Sequence, residues 1–225
     1  MVDITAKIGA LEMASPVIMA SGTCGFGREL SEYVDYKKIG AISSKGLTYL
    51  PRAGNPGCRV AETPSGMLNS VGLQNSGIQT FLAHELEYMN TLGCKVIVNI
   101  AGHSDEDYIN AIELINTKAD RIDAIELNLS CPNVTAGCMQ LGTDPNAVYH
   151  LISDLRTRTK LPLWVKLTPN MTQIRDAAVA AEKAGADAIV AINTLLGMAV
   201  NISTRRPVLH NNTGGLSGPA IKPVA

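Results

Sequence analysis

The sequence lacks the features of several protein classes. Its 225 residues contain 19 lysines and arginines against 20 aspartates and glutamates, so it has no basic excess of the kind that binds nucleic acid. No apolar run approaches the ~20 residues that a membrane-spanning helix needs. Asp3, Lys7 and Glu12 interrupt the N-terminal stretch where a signal peptide would need an uninterrupted apolar core. We therefore expect a cytoplasmic protein that binds neither nucleic acid nor a membrane.

Paired cysteines and common catalytic motifs are missing as well. The five cysteines are an odd number without a C-x-x-C pair, which argues against a disulfide scaffold and against a zinc ribbon. The four histidines are scattered without metal-ligand spacing. The H-E-x-x-H, G-x-S-x-G and Walker sequences are absent. No metal site is therefore expected.

The chain does contain short apolar runs that alternate with helical segments. The runs are nearly continuous, which is typical of parallel strands buried on both faces. The predicted strands are residues 17–20, 41–44, 95–100, 124–129, 163–167 and 188–192. Residues 76–92, 105–115 and 172–184 are predicted helices, from their apolar spacing, acidic starts or glycine ends. This order predicts an α/β fold.

Two α/β architectures compete for this order of elements. A doubly wound sheet would carry G-x-G-x-x-G after its first strand, and the glycines of residues 22–27 match that motif weakly, with reversed spacing. A TIM (β/α)8 barrel explains instead why the strands end in polar residues, because those ends converge on the face that holds barrel active sites. The polar residues are Ser21, Lys45, Asn99, Asn128, Lys166 and Asn193. We predict the barrel, with about six of its eight βα units in the given chain.

The densest group of polar and reactive side chains is residues 126–133, Glu-Leu-Asn-Leu-Ser-Cys-Pro-Asn. A thiol between two amides at a strand end can take a proton while the amides hydrogen-bond a planar polar ligand. A lone cysteine is more often an inert core residue. The position of Cys131 beside Pro132, at a strand end, makes it a candidate base nonetheless.

Two lysines, Lys45 and Lys166, follow apolar strands. A single lysine of this kind is more often a solvated surface residue. Two at equivalent strand ends suggest that an anion or an electron-rich ring is held in the barrel mouth, and a Schiff-base lysine is the competing chemical interpretation.

Two glycine-containing loops are weaker candidates. Residues 69–75 combine amides with a glycine that lets the backbone approach a ligand closely. Residues 214–218 could bind phosphate through backbone N–H groups. Taken alone, each loop is better explained as an ordinary turn.

Taken together, several of these stretches resemble the dihydroorotate dehydrogenases. They occur in the order and spacing of that family, and the resemblance covers essentially the whole chain. The stretches are residues 20–22, 44–46, 69–75, 98–102, 128–133, 165–167 and 192–194. Cys131 is similar to the class 1 enzymes, since the membrane-associated class 2 enzymes have serine there. Residues 22–27 and 72–75 most resemble the NAD-dependent class 1B catalytic subunit.

The resemblance implies oxidation of dihydroorotate to orotate in de novo pyrimidine (UMP) biosynthesis, with FMN in the barrel mouth. Cys131 would be the catalytic base that removes a proton from C5 while a hydride leaves C6. The residues implied to contact FMN are Ser21, Lys45, Gly46, Asn99, Asn128, Lys166, Ile192 and Gly218. Those implied to contact the substrate are Lys45, Asn69, Ser70, Val71, Gly72, Leu73, Asn128, Asn133, Asn193 and Thr194.

The resemblance to class 1B also implies a partner subunit. That subunit would carry FAD and a [2Fe–2S] cluster and pass electrons to NAD⁺, because the cysteines here lack ferredoxin-like spacing. The catalytic subunits would form a homodimer within a heterotetramer. The alternatives are a class 1A-like, fumarate-linked dihydroorotate dehydrogenase, a Schiff-base lyase on the same barrel, and an inactive fragment.

The family pattern and this chain differ in two places. The family barrel continues for two more βα units, which complete the flavin phosphate site. We therefore expect residues 1–225 to be a single FMN-binding barrel domain that lacks its C-terminal portion. Residues 135–140 also differ from the glycine-richer loop of the family, so lid behaviour is the weakest implication of the resemblance.

Overall fold

The computed structural model describes residues 2–129 and 142–225. Its strands are β1 (Ala6–Ile8), β2 (Leu11–Met13), β3 (Ile18–Met19), β4 (Ala41–Ser43), β5 (Val60–Thr63), β6 (Gly66–Asn69), β7 (Lys95–Ile100), β8 (Ala124–Asn128), β9 (Leu163–Lys166), β10 (Ala188–Val190), β11 (Leu195–Gly197), β12 (Val200–Asn201), β13 (Arg206–Pro207) and β14 (Gly214–Ser217). Its helices are α1 (Ile78–Thr80), α2 (Leu86–Thr91), α3 (Asp105–Asn116), α4 (Pro145–Arg158) and α5 (Ile174–Lys183). A π-helical turn, Phe81–Glu85, joins α1 to α2, and short 3₁₀ turns lie at Arg28–Leu30, Tyr36–Lys38, Ala119–Arg121 and Pro219–Ile221.

The central sheet has six parallel strands that pair in chain order, β3-β4-β7-β8-β9-β10. The six predicted strands correspond to these six, with ends that differ by up to two residues. Sequential parallel pairing with helices between strands is the arrangement of a TIM barrel. The predicted fold class, a TIM barrel of which the chain holds about six of eight strands, is confirmed.

The two faces of this sheet have different packing. The outer face packs Ile42, Val98 and Leu127 against helix residues such as Ile112 and Ile152. The inner face gathers a second, smaller apolar cluster from several strands, Ala41, Ile97, Ala124 and Trp164, over Leu11 and Met13. Because neighbouring residues of a strand point to opposite faces, continuous apolar runs are what two buried faces require.

The hairpin β1–β2 covers the amino-terminal end of the sheet. Its buried residues Leu11 and Met13 belong to the inner apolar cluster. The hairpin therefore covers the inner apolar cluster at one end of the curled sheet. The sequence interpretation assigned no structure to this segment.

The helices follow from capping and apolar spacing. Helix α3 begins after Ser104, whose Oγ accepts a hydrogen bond from Asp107 N at 3.2 Å. Helix α4, which the sequence interpretation did not name, starts at Pro145, directly after the N-cap Asp144. Its buried residues Val148, Leu151, Ile152 and Leu155 recur at three- and four-residue spacing. The predicted helix 76–92 is present but carries the π turn at its centre.

A second sheet, also absent from the sequence interpretation, is antiparallel with strand order β11-β14-β6-β5. It brings the loop after β6 and the segment after β10 together, because β14 pairs with both β6 and β11. Gly215 lies opposite Asn69, and Leu216 lies opposite Leu195. Residues 214–217, which the sequence interpretation took for a loop, are therefore a strand, and they pair with β6, at whose end the 69–75 loop begins.

Candidate active site

The inner face of the parallel sheet changes from apolar to polar toward the carboxyl ends of its strands. On β4, Ala41 is followed two residues later by Ser43, and on β7, Ile97 is followed by Asn99. Side chains two residues apart on a strand share a face. The same step leads from Ala124 to Glu126 and Asn128 on β8 and from Trp164 to Lys166 on β9. These polar side chains therefore converge above the inner apolar cluster.

Glu126 is the centre of this polar group, and the sequence interpretation assigned it no function. Its Oε1 accepts a hydrogen bond from Asn99 Nδ2 at 2.5 Å and lies 3.7 Å from Lys166 Nζ. Its Oε2 accepts from Ser43 Oγ at 3.2 Å. Glu126 is 3% exposed, so these contacts compensate for the free energy lost by removing its carboxylate from water. A glutamate within an apolar strand, two residues before Asn128, was the signal that could have identified it.

Asn128 and Asn193 meet above this layer. Asn193 Nδ2 donates to Asn128 Oδ1 at 3.2 Å, and Asn193 N donates to Leu167 O at 3.0 Å. Tyr108 of α3 donates its hydroxyl to Asn128 O at 2.8 Å. Thr194 N donates to Asn193 Oδ1 at 2.8 Å. Three residues predicted to bind the substrate, from two strand ends, are therefore joined by hydrogen bonds into one group.

Lys45 lies at the end of β4, half-buried, with its backbone N–H donated to Gly25 O at 3.0 Å. Burial lowers the pKa of the Lys45 ammonium group, and the Arg59 guanidinium lowers it further, against a smaller opposing effect from Glu29. Because its surroundings destabilise the charged form of Lys45, an anionic ligand bound beside it would stabilise that form.

Gly46 lies against both Asn99 and the loop after β6. A Cβ at Gly46 would lie 3.1 Å from Asn99 Oδ1 and 3.4 Å from Leu73 Cδ2. The structure therefore brings the predicted residues Gly46, Asn99 and Leu73 together.

Residues 69–75 form a loop held by the side chains of Asn75, which the sequence interpretation included in this loop, and of Asn55, which it did not single out. Asn75 Nδ2 donates to Leu73 O at 2.6 Å, and Asn75 Oδ1 accepts from Gly77 N at 2.8 Å. Asn55 N donates to Val71 O at 3.0 Å. Asn55 Nδ2 also donates to the carbonyl of Ser70, the residue before Val71, at 3.0 Å. The loop therefore has its backbone bonded on both sides of Gly72.

Comparison with known proteins identifies the family. The model of the family described as dihydroorotate dehydrogenase matches residues 3–225. The chain belongs to the dihydroorotate dehydrogenase family. The predicted enzyme class, an oxidoreductase of this family, is confirmed. At the level of the family, the predicted reaction, dihydroorotate oxidation in pyrimidine synthesis, is confirmed as well.

Its curated relatives include two proteins named dihydroorotate dehydrogenase B (NAD(+)), catalytic subunit. The protein of Geotalea uraniireducens (strain Rf4) is 49% identical over 223 residues, which cover 99% of this chain and 73% of the relative. The protein of Desulforamulus reducens is 50% identical over 223 residues, with the same coverage. The ligand-free DHODH structure from Eimeria tenella matches with a TM-score of 0.77 at 22% identity, covering 99% of this chain and 69% of that one. This last similarity concerns the fold alone.

The dihydroorotate dehydrogenase family generally uses FMN, and the polar end of the sheet fits such a ring. Asn99 is fully buried, and its Oδ1 has no hydrogen-bond partner within residues 2–129 and 142–225. A buried acceptor without a partner is costly unless a ligand supplies a donor. Gly46 keeps this atom uncovered, and Lys45 and Lys166 supply cations for an electron-rich ring edge. Among the described residues, no group of three or more His, Cys, Asp or Glu side chains could hold a metal ion.

The remaining predicted residues are less closely grouped. Ser21 follows β3, Ile192 follows β10, and Asn69 Nδ2 donates to Gly215 O at 3.2 Å. Gly218 is exposed beside Gly66, beyond the end of β14, about 10 Å along the strand from the position opposite Asn69. Its assignment to FMN stays a prediction. Cys131 and Asn133 lie outside the described residues.

Asn170, in the loop after β9, was missed and left no sequence signal. Its Nδ2 donates to Thr194 O at 3.0 Å, and its Oδ1 accepts from Leu196 N at 2.7 Å. It therefore holds the segment that carries Thr194. In the described part of the chain, no helix has the length and apolar character needed to cross a membrane.

Proposed function

We propose that this chain is the catalytic subunit of an NAD-linked dihydroorotate dehydrogenase that oxidises dihydroorotate to orotate with FMN. The observation that carries this proposal is the convergence of Asn99, Asn128, Lys166 and Asn193 at the carboxyl ends of four neighbouring strands. They combine fixed amides with a buried cation, which suits a planar, electron-rich ring and a planar polar substrate.

The substrate would lie against the amides of Asn128 and Asn193. Their mutual hydrogen bond fixes both side-chain orientations before a ligand arrives, which lowers the entropy lost on binding. Asn69 and Thr194 flank the same region, since β14 pairs with both β6 and β11. These side chains, with the bonded loop 70–73, would bind the pyrimidine edge and the carboxylate.

Proton removal is assigned to Cys131. A thiol has a reference pKa of about 8.5, so a thiolate forms with modest help from nearby cations. In sequence Cys131 follows Leu129 by two residues, and Leu129 N donates to Lys166 O at 3.2 Å. The thiolate would take the C5 proton of dihydroorotate. FMN, when bound, would accept the hydride from C6.

The lysines would act through charge. Lys166 would favour the negative charge that develops on a reduced flavin ring, and Lys45 would contact ring and substrate. Gly46 and Asn99 would lie along the ring with Ser21, Ile192 and Gly218. In this proposal these residues contact the ring without forming a covalent bond to it.

The electrons would leave through a partner subunit that carries FAD and a [2Fe–2S] cluster and reduces NAD⁺. The support is the printed name of the relatives, which describes NAD(+)-dependent catalytic subunits. We place two catalytic subunits in a heterotetramer in the cytoplasm. The interface with the partner should exceed about 1,000 Å².

The test uses the complete protein reconstituted with FMN under anaerobic conditions. Dihydroorotate should bleach the flavin band at ~450 nm, and NAD⁺ reduction should appear only after the iron–sulfur subunit is added. Absence of bleaching would contradict the proposed reaction. Rapid turnover with fumarate and no gain from a partner would contradict the NAD-linked assignment alone.

Schiff-base chemistry at Lys45 is a second candidate function, and one observation favours it. Burial and Arg59 lower the pKa of the Lys45 ammonium group, which increases the neutral, nucleophilic fraction. Borohydride added with a carbonyl substrate would attach the substrate covalently to Lys45 in a lyase. In a dihydroorotate dehydrogenase, the mass of the protein would stay unchanged.

A further inference from the structure

Glu126 lies one layer below the proposed ligand site and has no part in the proposed reaction. It occupies the inner face of β8, between Ala124 and Asn128, directly opposite Asn99 in the strand register. Three different strands supply its partners, Ser43, Asn99 and Lys166. A carboxylate buried in this way is expensive unless its partners are all in place. Two of those partners, Asn99 and Lys166, are the residues proposed to face FMN.

The carboxylate determines which atom Asn99 presents to the ligand. A carboxylate can only accept hydrogen bonds, so Asn99 must turn its Nδ2 toward Glu126, at 2.5 Å. The Asn99 Oδ1 is then directed to the space beside Gly46 and Leu73. This acceptor is buried and has no partner within the described residues, so its orientation matters to a ligand that brings an N–H donor.

The Glu126 carboxylate also forms an ion pair with Lys166. Lys166 Nζ lies 3.7 Å from Glu126 Oε1, and both side chains are nearly buried. The two charges of the pair offset each other, and the ion pair holds the Lys166 ammonium group against the carboxylate. An uncompensated ammonium at this place would stabilise an anionic ring more strongly than the paired one does.

We propose that Glu126 is a positioning residue that orients the Asn99 amide and restrains the Lys166 cation, and so sets the affinity and the reduction potential of bound FMN. The assignment rests on the proposed function for the identity of the ligand. The contacts of Glu126 with Asn99 and Lys166 lie within the protein and do not depend on which ligand binds.

The first experiment compares Glu126→Gln and Glu126→Asp with the unchanged complete protein. A glutamine can offer Asn99 either a donor or an acceptor, so oxidised FMN should bind at least tenfold more weakly to Glu126→Gln. Glu126→Gln also removes a negative charge, which should favour binding of reduced over oxidised FMN by at least tenfold. For a two-electron couple, this is a positive shift of the FMN reduction potential of about 30 mV. Glu126→Asp keeps the charge but reaches less far, so the potential should stay and the affinity should fall.

Asp123→Asn is the matched control. Asp123 pairs with Lys95 Nζ at 2.9 Å beside the amino ends of β7 and β8, at the opposite end of the same strands. Its replacement removes a similar ion pair and should lower stability without moving the potential. A potential of Glu126→Gln equal to that of the unchanged protein, or an equal shift in Asp123→Asn, would overturn the proposal. An FMN affinity of Glu126→Asp equal to that of the unchanged protein would overturn it as well, even if Glu126→Gln failed to fold.

A second measurement needs no flavin. Reductive methylation with formaldehyde, followed by mass spectrometry, reports the reactivity of Lys166 in the flavin-free protein. The rate at Lys166 should rise at least tenfold in Glu126→Gln, because the lysine is no longer held in an ion pair with a carboxylate, while the rate at Lys45 stays constant as an internal control. An unchanged Lys166 rate would refute the restraint by Glu126. Failure of the unchanged protein to bind FMN would instead refute the proposed function, and the methylation result would still decide the role of Glu126.

Discussion

Asn193 Nδ2 donates a hydrogen bond to Asn128 Oδ1 at 3.2 Å, which joins the end of β8 to the segment after β10. The two asparagines are 65 residues apart in sequence, and the strand between their own strands, β9, carries Lys166. The contact therefore places two substrate-binding candidates on either side of the strand that carries a buried cation. Several measurable consequences depend on this arrangement.

Replacing Asn193 by alanine should weaken orotate binding. The change removes one amide from the proposed substrate contact and one hydrogen bond that orients Asn128. Each such bond contributes about 1 kcal/mol, so the Kd for orotate should rise about tenfold or more, while FMN stays bound. Titration of the flavin spectrum with orotate measures this. Asn211→Ala, at an exposed asparagine outside the site, should leave the Kd unchanged, and an equal effect in both variants would contradict the assignment.

Cys131→Ser should slow flavin reduction by several orders of magnitude at neutral pH, because a hydroxyl is a far weaker base than a thiolate. The residual rate should increase with pH, and FMN should remain bound. Stopped-flow bleaching of the flavin band by dihydroorotate measures the rate. Cys58→Ser, at an exposed cysteine, is the control. A Cys131→Ser rate close to that of the unchanged protein would remove the thiol from the mechanism.

Gly72→Ala should disturb the substrate loop through both conformation and space. Gly72 has φ 76°, which costs an L-residue roughly 1–2 kcal/mol. Its Cβ would also lie 2.6 Å from the Asn55 side chain. Orotate affinity should fall, with FMN affinity unchanged.

Gly22→Ala is the matched control for that variant. Gly22 has a similar φ of 84°, but among residues 2–129 and 142–225, apart from its own chain neighbours, no atom lies within 4 Å of its Cβ position. The Gly22→Ala substitution therefore has the conformational cost without the steric clash. If Gly22→Ala weakened orotate binding as much as Gly72→Ala does, close packing of the 69–75 loop would not be the cause.

Lys45→Met should stabilise the flavin-free protein at neutral pH while abolishing orotate binding. Burial lowers the pKa of Lys45 in the folded state, so the unfolded chain holds this proton more tightly and the charge opposes folding below the lowered pKa. This cost disappears as pH rises toward the ordinary lysine value of 10.5. The Tm difference between Lys45→Met and the unchanged protein should therefore shrink with rising pH. Lys118→Met, at an exposed lysine, should show no such trend.

Much of the site could be predicted because it depends on a local rule. Lys45, Asn99, Asn128 and Lys166 each lie at or within two residues of the carboxyl end of a strand, and parallel strands bring such ends to one edge. Glu126 escaped because its importance depends on partners from other strands, Ser43, Asn99 and Lys166, none of which is near it in sequence. Asn170 was not predicted for a similar reason, since polar loop residues are common and only its bonded partners distinguish it.

The sequence by itself determined the parallel sheet and its order, because a strand buried on both faces needs an uninterrupted apolar run and each run here is joined to the next by a helical or loop segment. It also determined the family, through motifs that recur in a set order. Only the tertiary structure decided that β14 pairs with β6, with Asn69 bonded to Gly215 across 146 residues. Short glycine-containing strands carry little pattern of their own. Their pairing depends on the packing of the whole fold, which brings the strands together. The contact of Glu126 with Lys166 depends on the same packing.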